Sequence, residues 1–434
     1  MTYSYCIKYL LEIKDPNIKL TETLTQIPLN QRPTHKLLHG ILSYEVNHCP
    51  HCKCRNRAIK WGFKRVLVHL GQFNSQPIKL SLKKQRYRCK QCAHTFSAET
   101  TLVDKHCSLS NPMKLAIKLA LQEIRPQSGI AKEYGVSSPS INRIARQASE
   151  QLKPSRHWLP EHLAIDEFKS VKSVESAMSA IIIDNQHHRL IDIIEDRKQV
   201  SLRRYFQRYD LAVRKKVKTI TMDMYEPYKD FFPRLFPNAV IIIDRFHLVQ
   251  RLNTALDRIR VTVMNELRYK VPTHYTKLKN LWKLLLKNDW ELDFEKYDSH
   301  RLFSGLITEK GIVDFLRNID PRIEVVYTWV NRLKALFNDH DYEGFQEILA
   351  ESHLYQLPRE LRKALDTMEK YRAEIKNTML YTLSNGPIEG FNNKIKNIKR
   401  SGFGYANFYN LQARNRVSFL LTYHMPKTIK PVIY

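Results

Sequence analysis

Three short apolar runs between residues 163 and 244 each carry or end in an aspartate. Residues 163–168 hold Asp166, Val217-Lys-Thr-Ile-Thr-Met runs into Asp223, and Ala239-Val-Ile-Ile-Ile runs into Asp244. Runs this short and this apolar read as buried strands. Two further runs, 177–183 and 190–195, read as antiparallel partners joined by the polar turn Asp184-Asn-Gln-His-His-Arg189. Residues 199–209 and 228–235 read as helices, the second stopped by Pro237. The order is therefore three adjacent strands, a helix, a strand, a helix and a strand.

That order is the one of an RNase H-like fold, and it predicts an α/β core with a mixed five-stranded sheet. One acid at a strand end is as well explained by a solvated edge or a helix cap. Three in this order suit phosphoryl transfer on two metal ions, where carboxylates converge from separate elements and hard cations keep positions for water and phosphate oxygens. From 248 to 382 strand signals are missing, and amphipathic runs at 252–267, 275–286, 311–316, 323–337, 344–352 and 359–371 predict an all-helical insertion. A last helix then starts at Ser384-Asn-Gly-Pro387, with Ile388, Phe391, Ile395 and Ile398 as its buried stripe. Glu389 alone would read as a first-turn acid favoured by the helix dipole. It is accompanied by Asn393, one turn on, and by four Lys/Arg within residues 394–400.

Ahead of this core stand two C-x-x-C pairs, Cys49-Pro-His-Cys52 and Cys89-Lys-Gln-Cys92. Each tight turn aims two sulfurs at one point, so the two turns together complete a tetrahedral Zn2+ site. The 36 residues between them contain strand-like runs at 65–70 and 77–87, which predicts a zinc ribbon of hairpins over 46–105. Cys54 leaves the first turn ambiguous, because it competes with Cys52; His48, His51 and His94 are also near. Residues 51–100 hold 12 Lys/Arg and one acid, with Tyr87 and Phe96 interleaved, either a phosphate-tracking surface or a solvated face. Residues 106–155 read as a helix-turn-helix: a helix over 112–125, a short helix from Ser128, the turn at Gly135, and a second helix capped by Ser138 with Pro139 first. Ile130, Ala131, Val136, Ile141 and Ile144 would be buried, leaving Asn142, Arg143 and Arg146 to reach DNA. On the last helix Lys396 and Arg400 are the corresponding candidates. The remaining segments are an N-terminal helical stretch, 1–45, the first part of the core, 160–247, and its last part, 383–434.

The 434 residues carry 71 Lys+Arg against 43 Asp+Glu, formally +28, and 43% are hydrophobic, enough for a large core and a polyanionic partner. No run approaches the roughly 18 apolar residues of a membrane span. The first twenty residues lack the apolar run of a signal peptide. Seven Cys without a secretion signal point to metal and a reducing cytoplasm rather than to disulfides.

These residues together resemble the ISL-three family of bacterial insertion-sequence DDE transposases, nearly end to end. The resemblance is carried by the two Cys pairs, Ile165-Asp-Glu-Phe168, Met222-Asp-Met-Tyr-Glu-Pro-Tyr228, Asp244-Arg-Phe-His247, the run Ser384-Asn-Gly-Pro-Ile-Glu-Gly-Phe-Asn-Asn-Lys-Ile-Lys396, and Gly402-Phe-Gly404. It implies catalytic Asp166, Asp223 and Glu389 holding Mg2+ (or Mn2+), DNA as substrate at terminal inverted repeats and at a target, and a helical insertion before the last catalytic helix. A homodimer in the active DNA complex and a bacterial cytoplasmic, nucleoid-associated location are expected with it. Asp244 and His247 form a D-x-x-H pair like one in Mutator-like transposases and take an auxiliary role, with Asp244 the competitor of Asp223 as second carboxylate. Glu167 is expected on the opposite face of its strand. Two other functions share these parts: a domesticated DNA-binding regulator, which would not need the three acids, and a structure-specific nuclease that cuts without rejoining.

Overall fold

The computed structural model describes residues 3–21, 35–73, 76–381 and 383–421. Its contacts divide the chain into two compact units, one of residues 1–153, 171–173 and 393–434, the other of 154–170 and 174–392.

The first unit begins with α1 (Tyr3–Leu10), β1 (Ile18–Thr21), β2 (Lys36–Leu42), β3 (Ala58–Phe73), β4 (Gln76–Cys89) and β5 (Thr95–Ser97). The five strands form one sheet, in which β3 and β4 are a long antiparallel hairpin, β2 lies parallel to β4, and β1 and β5 are antiparallel additions. The hairpin of the expected ribbon is thus present, with longer strands. Leu80, Leu82 and Tyr87 on β4 are buried with Ile18, Leu42 and Val68, while Lys83 faces out. β3 slips register between Lys60 and Phe63 and again between His69 and Gly71; Gly62 (φ 74°) and Gly71 (φ 119°) take the conformations those bulges need. The expectation of a helical segment over 1–45 is corrected: beyond α1 its described residues are strands, because Ile18–Thr21 and Lys36–Leu42 find sheet partners. Residues 22–34 lie outside the described residues.

Three helices follow, α2 (Asn111–Ala120), α3 (Gln127–Tyr134) and α4 (Ser138–Gln151). Ser110 caps α2 by accepting from Met113 N, and Gly135 ends α3 in the left-handed region at φ 63°. Ser137, not Ser138, is the cap residue of α4: its backbone is extended and its carbonyl accepts the first bonds, so Pro139 is the second helical residue.

The second unit holds β6 (His162–Lys169), β7 (Met178–Asp184), β8 (Arg189–Ile194), α5 (Gln199–Phe206), α6 (Leu211–Arg214), β9 (Thr219–Met222), α7 (Glu226–Lys229), α8 (Phe231–Leu235) and β10 (Val240–Ile243). The strand order is β10-β9-β6-β7-β8, parallel across the first three and antiparallel across the last three, so the sheet is mixed and five-stranded. The expected helix over 228–235 is two short ones, since Pro233 cannot donate back to Lys229. After β10 come α9 (Arg245–Leu267), α10 (Pro272–Asn280), α11 (Trp282–Leu285), the two-residue pair β11 (Asp298–Ser299) and β12 (Leu306–Ile307), α12 (Glu309–Arg317), α13 (Pro321–Asp339), α14 (Tyr342–Ser352), α15 (Arg359–Lys370) and α16 (Arg372–Leu380). The small β pair corrects the all-helical expectation. Thr378 and Asn377 of α16 bond main-chain groups of Ile243 and Ile241, which satisfies the open edge of β10.

α17 (Gly386–Ser401) and α18 (Phe408–Leu420) complete the chain, and the unit boundary falls after Asn392. Ala413 and Val417 of α18 are buried in the same core as Ile117, Leu121, Ile130, Ile141 and Ile144. Arg414, fully buried, donates to the carbonyls of Glu123 and Arg125. The described residues 393–421, expected as part of the α/β core, therefore group with α2, α3 and α4.

Candidate functional site

The register of the parallel strands sets the site. Ala164 pairs with Thr221, so Asp166 and Asp223, each two residues on, stand level. Met222 pairs with Ile243, so Asp223 and Asp244, one residue on, stand level as well. Three adjacent strands thus bring their aspartates to one end of the sheet, and the first turn of α9 adds His247. His247 Nε2 lies 2.7 Å from Asp223 Oδ1 and 4.0 Å from Asp244 Oδ2. Asp166 accepts from Glu167 N at 2.7 Å and from Asn392 Nδ2 at 2.6 Å, and Asp244 accepts from Asn385 N at 3.2 Å.

Electrostatics follow from this crowding. Burial, and then the carboxylate of Asp223, push Asp166 up to about 6. Burial raises Asp244 as well. His247 is raised above its usual value, first by its hydrogen bond to Asp223. Asp166, Asp223 and His247 open on a cleft of about 530 Å³ whose other wall is α9 and α15, with Gln250, Arg251, Thr254, Arg258, Glu360 and Lys363, while Asp244 is buried behind them. Carboxylates therefore face a largely basic wall, an arrangement that can hold a phosphodiester over a cation.

Glu167 also lines this cleft, against the expectation that it faces away. The β6–β9 pairing ends at Ala164, so residues beyond it reach the opening from either face. Arg197 donates to Glu167 at 2.5 Å and Tyr228 at 2.7 Å. Glu389 is exposed on α17 and, among the described residues, is in no cluster of potential metal ligands. The α17 side chain that touches the acids is Asn392, which replaces Phe391 in the buried stripe. Asn392 and Asn385 were missed as site residues; both lie in the quoted Ser384–Lys396 run, but an amide's partner 226 positions away leaves no local signal.

Five of the seven cysteines, Cys49, Cys52, Cys54, Cys89 and Cys92, meet. Sulfur separations are 3.7 Å for Cys49–Cys92 and Cys52–Cys89, 3.3 Å for Cys54–Cys89 and 3.2 Å for Cys52–Cys54. Cys49, Cys52, Cys54 and Cys89 fall within the span of one metal site, so the cluster could bind zinc. The two turns match atom for atom: Lys53 N and Ala93 N donate to Cys49 O and Cys89 O, and Lys53 (φ 57°) and Ala93 (φ 56°) share the left-handed conformation. Of the expected DNA contacts, Arg143, Lys396 and Arg400 are exposed and Asn142 is half-buried. Arg146 is already bonded to Asn410 at 2.8 Å.

Residues 163–415 match the model of a DDE, ISL3-type family described as transposase. The chain is 23% identical over 368 residues to the transposase for insertion sequence element IS1001 of Bordetella parapertussis, covering 83% of this chain and 86% of that protein. It is also 35% identical over 108 residues to a Lactococcus lactis subsp. lactis protein named ATP-dependent protease, a likeness covering 25% of this chain and 34% of that one. No described helix is long and apolar enough to cross a membrane.

Proposed function

This chain belongs to the ISL-three family of DDE transposases, and from that premise we propose that Asp166, Asp223 and Glu389 are the carboxylates with which it cleaves and joins DNA at the terminal inverted repeats of its element. The level register of Asp166 and Asp223 at a cleft with a basic wall carries this reading. An α/β core of RNase H-like type, interrupted by the helices between β10 and α17, accounts for the sheet order. The two-helix unit α3–α4, with its glycine turn, suits a helix-turn-helix, and Arg143 with Lys396 and Arg400 would hold phosphates or base edges. A homodimer would let two such chains hold two element ends.

The donor set fits a hard divalent cation: carboxylate oxygens from separate strands, with buried amide oxygens of Asn385 and Asn392 beside them that have no partner. When bound, Mg2+ would supply Lewis acidity for the phosphoryl oxygens and lower the pKa of water or a 3′-hydroxyl. The chain's own residues orient and exclude. Asn392 and the Glu167 N–H fix both oxygens of Asp166. Arg251 and Lys363 face the phosphate side of the cleft. Glu389, three residues ahead of Asn392, shares its helix flank, and this supports it as the third carboxylate.

The test is incubation of purified protein with element-end DNA and Mg2+, mapping cut and joined products. Asp166→Asn, Asp223→Asn and Glu389→Gln should each abolish cleavage and spare DNA binding, while Asp244→Asn should weaken cleavage without abolishing it. Normal cleavage by all four variants would remove the three-carboxylate reading, and cutting without joining would make the chain a nuclease.

A further inference from the structure

Three potential ligands that the three-carboxylate set does not use together are gathered here. Asp223, Asp244 and His247 each offer an atom within 4.8 Å of the others. They come from rigid places: the end of β9, the end of β10 and the first turn of α9. Among the described residues, no Lys or Arg is ion-paired or hydrogen-bonded to Asp166, Asp223 or Asp244, and His247 lies against Asp223 and Asp244.

A second observation is independent of the acids. Asn392 is 7% exposed and donates its Nδ2 to Asp166, yet its Oδ1 is buried with no partner. Asn385 is 2% exposed; its main-chain N–H is on Asp244, and neither polar atom of its side chain has a partner. Buried polar atoms are rarely left so unless an ion or ordered water completes them.

We infer that Asp223, Asp244 and His247 form a divalent-cation site whose mixed nitrogen and oxygen donors favour a transition metal such as Mn2+ over Mg2+. An imidazole nitrogen suits softer ions, whereas Mg2+ demands oxygen in near-ideal octahedral geometry. Asn385 N holds the Asp244 carboxylate from behind, as outer-sphere donors orient metal ligands elsewhere. Asp223 is common to this site and to the proposed catalytic set, so a cation here would sit beside the cleft floor. The inference deepens the proposed function and rests on it for the use of the ion, not for its binding.

The test uses the full-length protein without DNA, titrated with Mn2+ and followed by electron paramagnetic resonance. Wild-type protein should show nitrogen coupling to bound Mn2+ in the pulsed spectrum, and Mg2+ should displace it only in about tenfold or greater excess. His247→Ala should abolish the coupling and weaken Mn2+ binding about tenfold or more. Asp244→Asn should weaken binding and keep the coupling. Absence of nitrogen coupling in the wild-type protein overturns the inference, whatever the variants do. If that absence accompanies loss of cleavage in Asp166→Asn and Glu389→Gln, the proposed function stands and only this site falls. Coupling that persists while those variants cleave normally removes the proposed function and leaves the site.

Discussion

Cys54 and His94 hold equivalent places in two matched turns: Cys49 N donates to Cys54 O, and Cys89 N donates to His94 O. By that symmetry Cys54 is the residue after a knuckle and not a member of one, despite its 3.3 Å approach to Cys89. Purified protein should therefore carry about one zinc per chain through Cys49, Cys52, Cys89 and Cys92. Cys89→Ser should lose it and Cys54→Ser should keep it, measured by elemental analysis; equal loss in both would place Cys54 among the ligands. Residues of this kind were legible because their chemistry is written in adjacent positions. Asp166, Asp223 and Asp244 were legible for a similar reason, the first carried inside an apolar run and the other two ending one. The Asn392–Asp166 bond was not, since it depends on how a distant helix is laid against the strand.

At the scale of elements, α13 shows how charge fixes a helix start. Asp320 caps it by accepting from Arg322 N at 2.8 Å, and Arg322 also pairs with Asp320 and with Glu266 of α9 at 2.5 Å. The hydrogen bond to Arg322 holds the Asp320 carboxyl below its ordinary range. A folded-state value below the unfolded one means the contribution is present above about pH 4 and is lost as pH falls through the folded value. Asp320→Ala should cost about 1 kcal/mol at pH 7, as cap losses do, and much less near pH 2.5, read as urea midpoints at the two pH values. An equal cost at both would mean the carboxylate charge is not involved. Element types were largely legible because burial imposes period two on β4 and period 3.6 on α4. Where the reading failed, a partner decided: β2 is a strand because β4 lies ready to pair, β1 because β2 does, and β11–β12 is too short for any periodicity.

The whole molecule departs most from a linear reading. Residues 1–153 and 393–434 form one unit, with Val417 of α18 fully buried among α2, α3 and α4. Val417→Ala should lower the stability of those helices by about 2 kcal/mol, seen as faster hydrogen exchange over residues 111–151; unchanged exchange there would mean α18 is dispensable to them. The sequence shows α18 as one more helix, and nothing local in it names a partner nearly three hundred positions earlier. This discontinuity has a consequence for how the protein is made. The helices of residues 111–151 leave the ribosome long before Ala413 and Val417 are synthesised. A nascent chain therefore carries an unfinished helical unit throughout elongation, and a product ended early by a nonsense codon would lack the α18 residues that close its core.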